Sequence, residues 1–157
     1  MMSWSKRSAT IVTLSAVSLI ASAVVLVWAI NPRPRTIPID AVVSERVGIG
    51  QQVYADYCAS CHGANLEGQP NWRQRLPNGR VPAPPHDETG HTWHHSDETL
   101  FKMTKVGIET LAPEGYESDM PAFENVLSND EISAVIAYIK RRWPPITQAR
   151  QETINKR

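Results

Sequence analysis

The sequence predicts an all-α chain: one long apolar helix near the N-terminus, then a small helical domain. Three observations carry this. No charged residue lies between Ala9 and Ile30. Two helix-start signatures, at Ser96 and Ser128, each precede an apolar stripe at helical spacing. No segment shows the period-2 alternation of a strand. The 157 residues give room for one ordinary domain plus extras. With 41% hydrophobic and 20% charged residues, the chain is neither disordered nor polytopic.

Taken in order, residues 1–8 hold Lys6 and Arg7, which favours a cytoplasmic N-terminus. Residues 9–30, at 1.5 Å rise, span roughly 33 Å, enough to cross the hydrocarbon core of a bilayer as a signal-anchor. Trp28 lies where an interfacial indole would sit. Ala21-Ser22-Ala23 has the form of a cleavage site, but Val24 to Ile30 beyond it is still apolar, which favours the uncleaved anchor. Residues 31–43 carry Pro32, Pro34 and Pro38 and read as an extended spacer.

The domain is expected over 44–143. Val43, Val47, Gly50, Val53, Tyr54 and Tyr57 share one stripe of a helix from about 44 to 60. Ser96 caps a second helix, with Asp97 and Glu98 in its first turn and Gly107 closing it. Ser128 and Glu131 form a capping box for a third, whose Ile132, Val135, Ile136 and Ile139 make an apolar face. Lys140, Arg141 and Arg142 suit its C-terminus, and Pro144-Pro145 stops it. Residues 144–157 read as a basic tail.

Charge is segregated along the chain. The 16 basic and 16 acidic groups cancel overall, which removes the electrostatic argument for nucleic-acid binding. Residues 44–143 nevertheless hold nine basic against fourteen acidic side chains. A partner of that block should be basic.

The chemistry lies at Cys58-Ala59-Ser60-Cys61-His62. Two thiols three residues apart with an adjacent histidine match the attachment pattern of a c-type haem. On a helical turn both sulfurs face one way and reach the two vinyl groups of one porphyrin, while His62 projects toward the iron. A redox dithiol and half a zinc site are the rivals. The first should open a helix after a strand, and the second lacks another cysteine pair. Haem attachment on the outer side of the cytoplasmic membrane would put the domain in the periplasm.

A carrier's iron needs a second axial ligand. Met103 lies on a helical stripe with Leu100 and Val106, as a core residue would. Met120, before Pro121, is biased to extended backbone and hangs from a loop, so it is the favoured thioether, with His86, His91, His94 or His95 as rivals. Between His62 and Ser96, 33 residues carry five prolines and no periodicity. A loop of that length needs an apolar group to wrap. Leu66, Trp72, Leu76 and Val81 could pack on the porphyrin, and Trp72, Trp93, Arg73, Arg75 and Arg80 are candidate propionate donors. His91, His94 and His95 could hold a second metal, against the plainer reading of haem-pocket hydrogen bonds and surface imidazoles.

Cys58–His62 followed by Gly63-Ala64-Asn65-Leu66, then Met120-Pro121-Ala122-Phe123 and the helix from Ser128 to Ile139, resembles the class I c-type cytochromes over roughly residues 46–143. The resemblance implies first and last helices crossing near Gly50, Tyr54 and Tyr138, and a haem edge exposed for electron transfer. It also implies a proline whose carbonyl accepts the proximal imidazole N–H. Pro84-Pro85-His86 would occupy that element, with His86 where the family has leucine. With the anchor, the chain looks like tethered cytochromes that shuttle electrons between respiratory complexes.

The expected function is therefore one-electron transfer, not catalysis, with His62 and Met120 on the iron of one covalent haem c. The expected partners are respiratory redox proteins with a basic docking face. The alternatives are a haem subunit of a larger oxidase or reductase, and a haem enzyme or ligand-binding protein with an open distal site.

Overall fold

The computed structural model describes residues 39–157. The expected span at 9–30 lies outside them. Among the described residues no helix is long and apolar enough to cross a membrane, and no strand occurs. Helix α1, Ile39–Val53, runs into a π-helical turn at Tyr54–Cys58 and then into the short α2, Ala59–His62. A 3₁₀ turn at Thr92–His94 precedes α3, Asp97–Val106. Helices α4, Asn129–Arg142, and α5, Pro145–Asn155, complete the order.

Two boundaries differ from those expected. The spacer to residue 43 is too long, because α1 already includes Ile39–Val43. No proline after position 38 opposes helix there. The segment 144–157 is not a bare tail. Pro145 opens α5 at a position where its missing N–H is harmless, and Gln151 on that helix is wholly buried.

The capping expectations are met. Ser128 Oγ accepts from Glu131 N–H at 3.2 Å, and the Glu131 carboxylate accepts from Ser128 N–H at 2.8 Å. Ser96 Oγ accepts from Thr99 N–H at 3.2 Å. Gly107 ends α3 at φ +83°, a left-handed value that suits glycine.

Helices α1 and α4 form the framework, and they cross at Gly50. A Cβ there would lie 2.5 Å from the Ala134 carbonyl carbon and 2.9 Å from Tyr138 Cβ, so only glycine permits the approach. Tyr54 and Tyr138 meet beside it with ring centroids 5.5 Å apart. Val53, Tyr54, Ile132, Val135, Ile139 and Trp143 fill the core around this crossing. Burying apolar side chains of this size stabilises by roughly 1.5–3 kcal/mol each.

The first stripe does not run to its expected end. Val47, Gly50, Val53 and Tyr54 turn inward, but Tyr57 is exposed. The π turn inserts one residue and rotates the succeeding helical turn by about 100°, one helical step. That rotation carries Tyr57 out of the core, where its ring stands nearly perpendicular to Phe123 with ring centroids 6.2 Å apart.

Candidate functional site

The same π turn delivers the cysteines. Cys58 closes it half-buried, Cys61 is exposed one turn on, and both thiols are free. Burial, with Cys61 close by, pushes the Cys58 thiol up to about 11. A nucleophilic redox cysteine shows the opposite shift, so Cys58 is not poised for that role. Among the described residues no group of three or more His, Cys, Asp or Glu could hold a metal ion. Of the three clustered histidines, His91 and His95 lie with ring centroids 5.5 Å apart, while His94 stacks on Trp93.

His62 follows, 7% exposed. Its Nδ1–H donates to the Pro84 carbonyl oxygen at 2.8 Å, which leaves Nε2 as the lone-pair nitrogen. Burial lowers its pKa, with the Pro84 bond opposing in part. The ring is thus kept neutral, the state a metal ligand requires. The turn beyond His62 is fixed by Tyr54, whose hydroxyl donates to Gly63 O at 2.8 Å and lies 3.3 Å from His62 O.

Pro84 reaches His62 because the long loop folds back on itself. His86 N–H donates to Leu66 O at 2.8 Å, and Gln69 N–H to Ala83 O at 2.9 Å. At Gly68, φ +69°, the two limbs touch: a Cβ would lie 2.7 Å from Pro84 C and 2.8 Å from Pro85 Cδ. Leu66 sits in the left-handed region at φ +74° and is 1% exposed. The strain of that backbone is offset by burial of its side chain.

His86 lies directly on His62. Their rings stack at 3.9 Å with 20° between planes. Burial first, then the nearby His62 and His91, hold the His86 pKa well below the usual imidazole range. Its Nδ1 lies 2.8 Å from Thr92 Oγ1, and its carbonyl oxygen accepts from Trp143 Nε1–H at 2.7 Å. Sequence reasoning noticed His86 only as a rival ligand and a substitute for leucine, and it missed Trp143. The signal for the latter was an aromatic residue ending a helix whose last turn is otherwise basic.

Met120 is half-buried against the core. Its N–H donates to Ser118 Oγ at 3.0 Å, and the Phe123 and Glu124 N–H groups tie the segment to the last carbonyls of α3. Met103 is half-buried on α3.

The expected propionate donors are mostly engaged by protein. Arg80 pairs with Glu117 at 3.3 Å and with Asp119, because the loop brings it beside the Met120 segment. The Trp93 indole has one N–H, and it donates to Glu88 O at 3.3 Å. Arg73 lies 4.3 Å over the Trp72 ring and donates to Thr89 O, while Trp72 stacks on His91. Arg75 donates to Gly79 O at 2.6 Å and borders a cleft of about 440 Å³ between residues 75–79 and 113–117. Leu76 is exposed and Val81 half-buried.

This donor set fits a c-type haem: two free thiols in one turn, then a buried, neutral imidazole held by a carbonyl at its far nitrogen. Comparison with known proteins agrees. The cytochrome c family model matches residues 47–143. No curated protein and no solved structure matches the chain. A match over more than half its length, on the residues that form this site, shows that the chain belongs to the cytochrome c family, as a class I c-type cytochrome with covalent haem c.

Proposed function

We propose that the protein is a membrane-tethered one-electron carrier whose haem iron is ligated by His62 and Met120, with its haem domain in the periplasm. The observation that carries the ligand assignment is the 2.8 Å bond from His62 Nδ1 to Pro84 O. It fixes the tautomer and leaves Nε2 for the iron. Cys58 and Cys61 would hold the porphyrin through thioethers, each thiol adding across a vinyl group. When bound, the haem supplies a reversible ferric/ferrous couple, and a thioether ligand favours the ferrous side.

The chain's own residues do the rest. Pro84 orients the proximal ring, and Tyr54 braces the turn that carries it. Ser118 and the bonds from Phe123 and Glu124 to α3 steady the loop bearing Met120. Both positions being filled leaves no open site for substrate, which favours transfer over catalysis. The tether rests on the uncharged run from Ala9 to Ile30.

The acidic residues Glu109, Glu114, Glu117, Asp119 and Glu124 flank Met120 in sequence. They would steer a respiratory partner with a basic docking face.

Optical spectra of the oxidised and reduced protein, with and without carbon monoxide, test this reading. The expected result is a c-type reduced spectrum, the far-red band of ferric–thioether ligation, and loss of that band in Met120→Ala. A high-spin spectrum with ready carbon monoxide binding would overturn the ligand assignment. Recovery of the haem domain with membranes, and its release by protease from spheroplasts, tests the tether and its orientation.

A further inference from the structure

We infer that His86 is a positioning residue for the proximal ligand: its ring, stacked on His62, fixes the rotational setting of the His62 imidazole. The inference rests on His62 being the ligand, as proposed above.

The geometry is that of a built element. The two rings face each other at 3.9 Å and 20°. A hydrogen bond from Nδ1 to Pro84 O sets the tilt of the His62 ring, but one bond in the ring plane leaves rotation about that line available. A flat surface against the ring face removes it. An aliphatic side chain has no such surface.

His86 is itself held at three points on three different segments. Its N–H donates to Leu66 O at 2.8 Å, just past the attachment motif. Its carbonyl accepts from Trp143 at the end of α4 at 2.7 Å. Its Nδ1 meets Thr92 Oγ1 at 2.8 Å, and that hydroxyl lies 3.4 Å from Pro85 O. The Tyr54 ring packs against it at a steep angle, 71° between planes, with ring centroids 6.3 Å apart. Two of these bonds are to the His86 main chain and set where the residue sits, while the Nδ1–Thr92 contact belongs to the imidazole and holds the ring's own orientation. The setting of an axial imidazole plane governs how unpaired spin spreads over a ferric porphyrin, and it contributes to the potential.

Three variants of the full haem-loaded chain test this: His86→Leu, which removes the flat surface; His86→Phe, which keeps it without the polar bond; and Thr92→Val, which loosens it. The readouts are the hyperfine-shifted haem methyl resonances of the ferric protein and the midpoint potential. The expected result is a reordered methyl pattern and a shifted potential in His86→Leu. His86→Phe and Thr92→Val, which each keep a flat ring on His62 but lose the Nδ1–Thr92 bond, should both move in the same direction by less. Wild-type patterns in both His86→Leu and Thr92→Val would overturn the inference, and so would equal changes in His86→Phe and His86→Leu. If His86→Leu does not fold, the other two decide. A low-spin spectrum that survives His62→Ala would instead overturn the ligand assignment, independently of the methyl patterns.

Discussion

The Trp143 indole donates its Nε1–H to the backbone oxygen of His86 at 2.7 Å, across 57 residues of sequence. It ties the end of α4 to the loop that backs the proximal histidine, so α4 and the ligand cradle are directly linked. Trp143 is 2% exposed, and water has little access to replace the bond. Trp143→Phe keeps an aromatic ring and deletes the donor. It should destabilise the domain by about 1–3 kcal/mol, the range for leaving a buried acceptor unpaired. Denaturant unfolding checks this, and an unchanged midpoint would mean the carbonyl finds another partner.

The helix crossing makes a second prediction, with its own control. Gly50→Ala would drive a methyl group into the Ala134 carbonyl and Tyr138 Cβ. Both belong to α4, so relief requires the helices to part, at a cost of about 1–3 kcal/mol. Gly48, two residues earlier on α1, has nothing within 4 Å of a Cβ. Gly48→Ala should therefore stabilise, by up to about 1 kcal/mol from helix propensity. Thermal melts of the two variants should move in opposite directions.

These contacts also show what the sequence revealed and what it hid. Helix starts were legible because capping is local: Ser128 and Glu131 are three residues apart, and both bonds of the box form. The attachment motif was legible for the same reason. The π turn was not, since Tyr54 to Cys58 carry no residue that demands one, and the rotation shows only in Tyr57 facing outward. The stack of His86 on His62 depends on a loop closed by backbone bonds at Leu66 and Gly68, and periodicity says nothing about backbone bonds between loop limbs. Helix α5 was hidden by composition. Its buried Gln151 looks polar in sequence but bonds to His95 O and Asp97 Oδ1.

Asp97 gives a prediction in pH. Burial raises its pKa, but Lys140, Gln151 and Asn155 outweigh burial and hold it below the ordinary 3.8. Lys140 Nζ lies 2.6 Å and 2.7 Å from its two oxygens. A carboxylate with a depressed folded pKa stabilises the fold above the unfolded value, and this contribution is lost as pH falls through the folded value. The stability gap between wild type and Asp97→Asn should be full at neutral pH and close below pH 3.8. The carboxylate is half exposed, which limits the ion-pair part to about 1 kcal/mol or less. Denaturant titrations at neutral pH and below pH 3.8 measure the gap, and a gap independent of pH would assign the effect to Gln151 and Asn155 instead.

Arg80 governs how acidic the Met120 face is. It pairs with Glu117 and Asp119, two of the five carboxylates that would steer a basic partner, so the face carries less net charge than its acidic residues suggest. Arg80→Ala removes one positive charge and frees both carboxylates. If electrons leave by this face, the variant should react a few-fold faster with a small cationic ruthenium ammine at low ionic strength. It should react more slowly with an anionic cyanide complex of iron. Both differences should fade as salt approaches the molar range, where the screening length falls to roughly 3 Å. Stopped-flow rates against ionic strength for the two reagents decide the matter. A change of the same sign for both would point to a shifted potential rather than to charge, and would remove this face as the docking surface.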